Sequence, residues 1–191
     1  MKNLAIFASG SGSNAENIIR YFAEKPGFRV KKVYCNVPDA YVLERAKKYN
    51  VPTQVFNRAE FRNPDIILRQ LQEEGTDFII LAGFLWLVPP CITNAYPNRI
   101  VNIHPALLPA YGGKGMYGHH VHEAVLAAGE KESGITIHYV NEHYDSGDII
   151  FQATCPVLPD DTPDTLAARV HELEYAHFPR VIEEAALQTP A

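Results

Sequence analysis

The stretch LAIFASGSGSN, residues 4–14, decides the fold class. Its apolar start is typical of a buried strand, and the small residues after Phe7 lead into a helical pattern over 15–21. Glycine lets backbone N–H groups approach a ligand closely, and the first turn of a helix carries a partial positive charge. A strand, a glycine-rich loop and a helix in this order therefore predict an anion site, most often for phosphate. The candidate phosphate ligands are Gly12, Ser13 and Asn14.

The same loop also matches the dinucleotide fingerprint G-x-G-x-x-G/A, through Gly10, Gly12 and Ala15. That fingerprint needs an acidic residue about 20 positions further on, at the end of the second strand, to hold a ribose. The second strand is instead followed by Asn36, and Asp39 is equally suited to begin the next helix. Phosphate binding is therefore favoured over a dinucleotide, and a purely structural turn is the other alternative.

Apolar runs alternate with helical patterns along the chain. The predicted strands are Leu4–Phe7, Val30–Cys35, Thr53–Phe56, Phe78–Leu81, Ile100–His104, Ile135–Val140 and Ile149–Ala153. The predicted helices are Asn14–Glu24, Ala40–Tyr49, Ala59–Glu73, a short turn near Pro90–Asn94, His120–Ala128 and Thr165–Leu187. This order predicts one α/β domain over 1–191 with a Rossmann-like, open, mostly parallel twisted sheet, helices on both faces and an antiparallel strand late in the chain.

The composition is that of an ordinary globular protein with a net charge of −5, which argues against a nucleic-acid partner. No apolar run approaches the roughly 20 residues that span a bilayer, so we expect no membrane association. Met1 leads almost directly into the first strand, which leaves no room for a signal peptide. The three cysteines are far apart and lack metal-type spacing, so we expect reduced thiols and a cytoplasmic location.

The segment VNIHPALLP, residues 101–109, carries the strongest chemical signal. Its strand presents Asn102 and His104 at alternate positions, so both side chains lie on one face, and Pro105 then ends the strand. An amide that donates to an oxyanion and a group that titrates near neutral pH are what acyl transfer requires. A buried structural histidine is the alternative, but two polar side chains on one face of an apolar strand favour a site.

The segment HYVNEHYDSGDII, residues 138–150, adds a carboxylate at Asp145 in a loop between two strands. An Asp-Ser-Gly turn is common and can be purely structural. The functional interpretation is that this carboxylate packs against an imidazole and favours its charged form.

Three of these segments together resemble the formyltransferase family that uses 10-formyltetrahydrofolate. They are Gly12–Asn14, Asn102–Pro109 and Asp145–Gly147, and the similarity extends over essentially the whole chain. The resemblance implies transfer of the formyl group to the amine of glycinamide ribonucleotide, giving the N-formyl product and tetrahydrofolate in purine synthesis. It also implies small-molecule substrates, no metal, and a monomer or homodimer.

The resemblance further implies a role for each site residue. His104 would be the general acid, Asn102 the ligand of the oxyanion and the formyl group, and Asp145 the residue that raises the pKa of the histidine. Gly12, Ser13, Asn14 and Glu174 would bind the ribonucleotide; Arg58, Leu85, Trp86, Leu87, Val88 and Asn102 would bind the folate. The half over 1–100 would bind the nucleotide phosphate, and the half over 101–191 would bind folate and carry catalysis.

Some features depart from this pattern or leave other functions open. Trp86 stands where the family usually has an arginine or a similar polar residue, so it adds stacking surface and removes a charge. The glycine-rich segment 109–125 predicts a mobile loop with Lys114 within reach of an anion. His119, His120 and His122 suggest zinc, but without a suitably spaced cysteine or carboxylate.

The rival functions are a formyltetrahydrofolate deformylase or another folate-dependent N-formyltransferase, an NAD-dependent oxidoreductase, and a non-catalytic nucleotide-binding module. The methionyl-tRNA and deformylase branches carry additional domains, and a sequence of 191 residues leads us to expect neither of these functions. An oxidoreductase would leave Asn102, His104 and Asp145 without a role.

Overall fold

One seven-stranded sheet organises the chain in the computed structural model, which describes residues 1–190. The strands are β1 (Lys2–Ala8), β2 (Phe28–Cys35), β3 (Thr53–Val55), β4 (Phe78–Leu81), β5 (Ile100–His104), β6 (Glu132–Tyr139) and β7 (Ile149–Pro156). They lie in the order β3-β2-β1-β4-β5-β6-β7. Strands β1 to β5 are parallel, whereas β6 pairs antiparallel with both β5 and β7. The predicted mostly parallel sheet with antiparallel pairing late in the chain is confirmed.

Helices cover both faces of the sheet. They are α1 (Ser13–Ala23), α2 (Val42–Lys48), α3 (Arg58–Arg62), a π-helical turn (Pro64–Leu68), α4 (Arg69–Glu73), α5 (Pro90–Ala95), α6 (His119–Ala127) and α7 (Pro163–Gln188). Successive residues of β1 point to opposite faces, so Ile6 packs in a core with α1 and α7 while Phe7 packs in a second core with α3 and α4. Both faces of the central strands are therefore buried, as a parallel sheet requires.

The single helix predicted over 59–73 is wrong, because the segment is divided into three short pieces. Asn63 ends α3 in an extended conformation, with φ −83° and ψ 116°. Proline disfavours the helical conformation in the residue before it and has no N–H to donate, so Pro64 stops α3 and starts the π-helical turn. The side chain of Asn63 accepts a hydrogen bond from the N–H of Asp65 and caps the new start.

The crossover from β3 back to β4 places the candidate site. From β1 the chain builds outward to β2 and β3, then returns to the other side of β1 with β4 and β5. Ligands in open α/β sheets bind at the carboxyl ends of the strands where the order reverses. The loops that follow β1, β4 and β5 meet at that edge.

Two further sequence expectations concern the whole chain. Cys35, Cys91 and Cys155 all carry free thiols, in agreement with the prediction of reduced cysteines. Among residues 1–190, no helix is both long enough and apolar enough to cross a membrane.

Candidate active site

A cavity of about 580 Å³ lies at the carboxyl ends of β1, β4 and β5. Eleven of the residues singled out from the sequence line it: Gly12, Ser13, Asn14, Leu85, Trp86, Leu87, Val88, Asn102, His104, Asp145 and Glu174. Arg58 lies outside this lining, where its guanidinium sits 4.4 Å from the centre of the Trp86 ring. The fold therefore brings distant side chains together, such as Asn14 and Glu174, which are 160 residues apart in the chain and hydrogen-bonded.

The glycine-rich loop begins the cavity at the N-terminus of α1. Gly12 precedes the helix with φ 77°, and a Cβ placed there would lie 2.4 Å from Cγ2 of Val42. Only glycine satisfies both conditions, so this position is required by the fold whatever it binds. The first N–H groups of a helix have no partner within the helix, and here they line the cavity at Ser13 and Asn14.

Helix α2 holds this loop from outside. The N–H of Val42 donates to the carbonyl of Gly10 at 3.2 Å, and Nε of Arg45 donates to the carbonyl of Ser11 at 2.7 Å. Arg45 also pairs with Glu16 on α1. The loop is thus built as a fixed cradle before any ligand arrives.

Glu174 of α7 connects this loop to the opposite wall of the cavity. Its Oε2 accepts a hydrogen bond from Nδ2 of Asn14 at 2.8 Å and a second from Nδ1 of His171 at 2.7 Å. The hydrogen bond to Glu174 raises the pKa of His171, and partial burial opposes this rise. Glu174 is itself only 4% exposed, so two donors stabilise a carboxylate that burial would otherwise destabilise.

His104 ends β5 in a buried position, 3% exposed. Its Nε2–H donates to the carbonyl of Tyr111 at 2.7 Å, while its Nδ1 lies 3.6 Å from Oδ2 of Asp145. The same Oδ2 accepts a hydrogen bond from the N–H of Gly113 at 3.0 Å. Residues 109–118, the part of the glycine-rich segment that precedes α6, form a loop that we call loop 109–118. This loop contacts both His104 and Asp145.

The pKa of His104 differs in direction from the expectation. Burial lowers the pKa of His104 below its usual range, although Asp145 and the Tyr111 carbonyl both act to raise it. Asp145 therefore acts in the predicted sense, but desolvation outweighs it while the loop covers the imidazole. Burial also acts to raise the pKa of Asp145, yet the imidazoles of His138 and His104 and the Gly113 N–H outweigh it and hold that pKa below its usual range.

His138 orients the amide of Asn102. The two residues face each other across the β5–β6 pair, with Nδ2 of Asn102 3.2 Å from Nε2 of His138. Nδ1 of His138 donates to the carbonyl of Tyr139 at 2.9 Å, so in the neutral imidazole Nε2 accepts from Asn102. The same Nε2 lies 3.6 Å from Oδ1 of Asp145, toward which it donates when the imidazole is protonated. One N–H of Asn102 is fixed by the neutral imidazole, and the other remains for a ligand.

The segment 85–88 forms the apolar wall of the cavity. Leu85 and Leu87 are 46% and 39% exposed, whereas Val88 is buried in the core. Trp86 packs edge-on against Phe56, with ring centres 5.9 Å apart, and it also lies beside the rings of Phe61 and Phe84. This wall is suited to an aromatic ligand, because exposed aliphatic side chains and an indole offer contact area with little polar competition.

Sequence reasoning singled out neither His138 nor Tyr111 nor His171 as site residues. The alternation along β6 does indicate His138: Ile135 and Ile137 fill one face of the strand, so His138 lies on the other face. Asn102 and His104 share one face of β5 in the same way. Tyr111 acts through a backbone carbonyl, which no side-chain pattern reveals. For zinc, residues 1–190 contain no group of three histidine, cysteine or acidic side chains able to hold a metal ion.

Comparisons with known proteins agree with this geometry. Residues 2–182 match the family described as formyl transferase. A phosphoribosylglycinamide formyltransferase of Bacillus subtilis is 37% identical over 96% of this chain and 94% of its own length. The chloroplastic phosphoribosylglycinamide formyltransferase of Arabidopsis thaliana is 42% identical over 95% of this chain, which spans 64% of the plant protein's length.

A solved structure is similar over the whole fold. The crystal structure of phosphoribosylglycinamide formyltransferase from Streptococcus pneumoniae matches with a TM-score of 0.85 and 41% identity, over 99% of this chain and 100% of that one. The site residues described above therefore lie on a scaffold that the two chains share.

Proposed function

Because the chain belongs to the formyl transferase family, we propose that it moves a formyl group from 10-formyltetrahydrofolate to the amine of glycinamide ribonucleotide. The single observation that carries this proposal is that one cavity holds the helix-capped loop 12–14 at one side and the pair His104 and Asp145 at the other. A phosphate-bearing amine substrate and an acyl-transfer centre are both served by that arrangement. The relatives named above support the choice of substrate.

The ribonucleotide occupies the side of the cavity between α1 and α7. Its phosphate accepts hydrogen bonds from the backbone at Gly12, Ser13 and Asn14, where the helix also supplies a partial positive charge. Glu174 has one oxygen engaged by Asn14 and His171, so its other oxygen accepts from the substrate's ribose hydroxyls.

The folate occupies the apolar side of the cavity. Leu85, Trp86, Leu87 and Val88 line it and supply contact area for the aromatic rings. Arg58 acts from behind Trp86, because its guanidinium lies over the indole. We propose it as a support for this wall that also reaches the anionic part of the folate.

The reaction needs no covalent enzyme intermediate. The substrate amine attacks the formyl carbon and the carbonyl π electrons move to oxygen, giving a tetrahedral oxyanion. The free N–H of Asn102 and a protonated His104 stabilise this oxygen; removing one such donor typically lowers the rate by about 10²–10³. The oxyanion then re-forms the carbonyl as the C–N bond to the folate breaks. The folate nitrogen takes a proton from His104, and the attacking amine passes its proton to water, which returns one to His104.

The resting geometry adds a condition to this mechanism. Nε2–H of His104 donates to the Tyr111 carbonyl, so this proton reaches the folate only after that hydrogen bond breaks. When the carbonyl leaves, His104 loses a hydrogen bond that acts to raise its pKa, but it also becomes less buried. Because burial is the larger effect, Asp145 then dominates its surroundings. Movement of loop 109–118 when substrate binds would therefore raise the pKa of His104 and favour its protonation.

The remaining parts of the proposal concern the protein's setting. We propose a cytoplasmic enzyme acting on two small molecules, without nucleic acid, membrane or metal, as a monomer or homodimer. The division into a nucleotide-phosphate half over 1–100 and a folate and catalytic half over 101–191 stays a prediction. One sheet runs through both halves, and Glu174 reaches across to Asn14.

The test is an endpoint assay with 10-formyltetrahydrofolate and glycinamide ribonucleotide. The wild-type protein should give formylated ribonucleotide, and His104→Ala should not. His143→Ala is the matched control, because the His143 side chain is 72% exposed and pairs with Glu142, not with His104 or Asp145. Release of formate from the folate without ribonucleotide would instead identify a deformylase. Binding of NAD without formyl transfer would favour the NAD-dependent oxidoreductase.

A further inference from the structure

Three imidazoles surround the part of the cavity next to the glycine-rich loop. They are His119 and His122 on α6 and His171 on α7, and we call them the imidazole wall. Two of them have carboxylate partners: Nε2 of His119 lies 3.4 Å from Asp164, and Nδ1 of His171 lies 2.7 Å from Glu174. The proposed function above leaves the third, His122, without a role.

His122 is the exception in this wall. It is only 3% exposed, and its Nδ1 has no hydrogen-bond partner within residues 1–190. Buried side-chain nitrogens are nearly always hydrogen-bonded, so an unpartnered one indicates either a stored penalty or a ligand. Because His122 also lines the cavity, a ligand is the better explanation.

The surroundings of His122 determine what kind of hydrogen bond it makes. Burial, reinforced by His171, lowers the pKa of His122 to about 4. At neutral pH it is therefore an uncharged imidazole with one N–H to donate. It forms no ion pair with Glu174, whose Oε2 is already engaged by Asn14 and His171.

Donors predominate around this end of the cavity, where the one unpartnered acceptor oxygen among the buried side-chain atoms of the described lining residues is Oδ1 of Asn14. The first turn of α1 presents free N–H groups at Ser13 and Asn14, and Lys114 lines the same cavity from loop 109–118. The carboxylate of Glu174 also lies at this end, and His171 pairs with it. An oxyanion with several acceptor oxygens fits this set better than a neutral or cationic group.

We propose that His122 is a phosphate-binding residue, whose N–H donates to the ligand from the wall opposite the glycine-rich loop. The phosphate is then held from two sides: by the backbone of α1 and by the imidazole of α6. The identity of the phosphate compound rests on the proposed function, but the role of His122 in binding phosphate does not.

The first experiment is calorimetric titration with inorganic phosphate in a buffer free of other oxyanions. The wild type should bind phosphate. His122→Leu replaces the imidazole by an apolar side chain of similar size, and it should bind phosphate about ten- to a hundred-fold more weakly, as expected for a lost hydrogen bond to a charged group. His120→Leu is the matched control, because His120 lies on the same helix, is 62% exposed and faces a separate shallow groove near Glu123. Absence of phosphate binding by the wild type, or equal binding by the wild type and His122→Leu, would overturn the proposal.

The second experiment compares glycinamide ribonucleotide with glycinamide riboside, which lacks the phosphate. His122→Leu should raise KM for the ribonucleotide about ten-fold or more and leave KM for the riboside and the folate unchanged. An equal rise for ribonucleotide and riboside would mean that His122 supports the fold or binds a hydroxyl group, and would refute the proposal.

Two conservative variants protect the test against a folding defect. His122→Asn carries its amide near the position of Nδ1, and His122→Gln carries it near Nε2, so one of them should restore phosphate binding and identify the donating nitrogen. If folded His122→Asn and His122→Gln both bind phosphate as weakly as His122→Leu while wild-type binding is intact, the loss reflects packing and not a donated hydrogen bond, and the proposal is refuted. If all three variants bind as tightly as the wild type, the proposal fails. A wild type that binds phosphate but does not formylate the ribonucleotide would refute the proposed function alone.

Discussion

Replacing Asp145 by asparagine removes one negative charge and little else. The two side chains have the same shape, and the asparagine oxygen still accepts from the N–H of Gly113, which now donates to Oδ2 at 3.0 Å. What is lost is the electrostatic support of His104, whose Nδ1 lies 3.6 Å from that carboxylate. We expect Asp145→Asn to fold normally and to transfer formyl groups slowly.

The size of the effect follows from the distance and the burial. The two side chains are 4% and 10% exposed, so the charges interact in the protein interior. At 3.6 Å and an effective dielectric constant of about 20, the interaction of Asp145 with a protonated His104 is about 4–5 kcal/mol. Each 1.4 kcal/mol lost from the transition state lowers the rate about ten-fold, so we expect kcat to fall by about 50- to 2,000-fold if between half and all of this energy is expressed.

The assay is single-turnover formyl transfer at pH 7, together with NMR titration of His104 in both proteins. The pKa of His104 should be lower in Asp145→Asn than in the wild type, because burial then acts with less opposition. Asp148→Asn is the control, since Asp148 is an exposed carboxylate in the same loop. A kcat for Asp145→Asn within three-fold of the wild type, with an unchanged pKa of His104, would refute the reasoning.

Four other outcomes are expected. Gly12→Ala should lower the free energy of unfolding in urea by about 2–5 kcal/mol, since φ is 77° and the new Cβ meets Val42, whereas Gly10→Ala, with open space around it, should change it little. Trp86→Leu should raise KM for the folate about five- to thirty-fold and leave KM for the ribonucleotide unchanged in steady-state kinetics, because it removes aromatic contact area from one wall only. Burial lowers the pKa of His122 from 6.5 to about 4, so as the pH falls the imidazole is protonated in the unfolded chain before it is protonated in the folded one. The free energy of unfolding therefore decreases between pH 6.5 and pH 4. His122→Leu should make this decrease about 3 kcal/mol smaller, as measured by urea unfolding at pH 7 and pH 4. Incubation with EDTA and gel filtration should leave the rate of formyl transfer unchanged, and a loss that zinc restores would return the metal hypothesis.

Much of the fold was predictable because hydrophobic period and glycine placement are local properties. The strand–loop–helix start at 4–14 and the antiparallel pair β6–β7 were both predicted from pattern and order. The helix predicted over 59–73 is broken at Pro64, although the apolar residues on both sides of the proline follow a helical pattern. Proline removes a backbone donor and restrains the residue before it, so this break is itself a local property of the sequence.

The candidate site was predictable only in part. Asn102 and His104 share a face of one strand, so the period of two was enough to place them together. His138 reaches the same site from a neighbouring strand, and its contact with Asn102 depends on the register of the pairing. Trp86 was expected to line the folate wall, and it does line the cavity, but the position of Arg58 against its outer side follows from packing.

The sequence by itself determined the order of the elements, the need for glycine at the first turn and the residue types available for acyl transfer. These depend on backbone sterics, strand period and side-chain chemistry, which are properties of short segments. The tertiary structure alone decided that the Tyr111 carbonyl caps His104, that burial outweighs Asp145 in setting the pKa of that histidine, and that His122 is buried without a partner beside the loop. Desolvation and long-range hydrogen bonds depend on which distant segments meet, and no local pattern encodes the depth at which a side chain comes to lie.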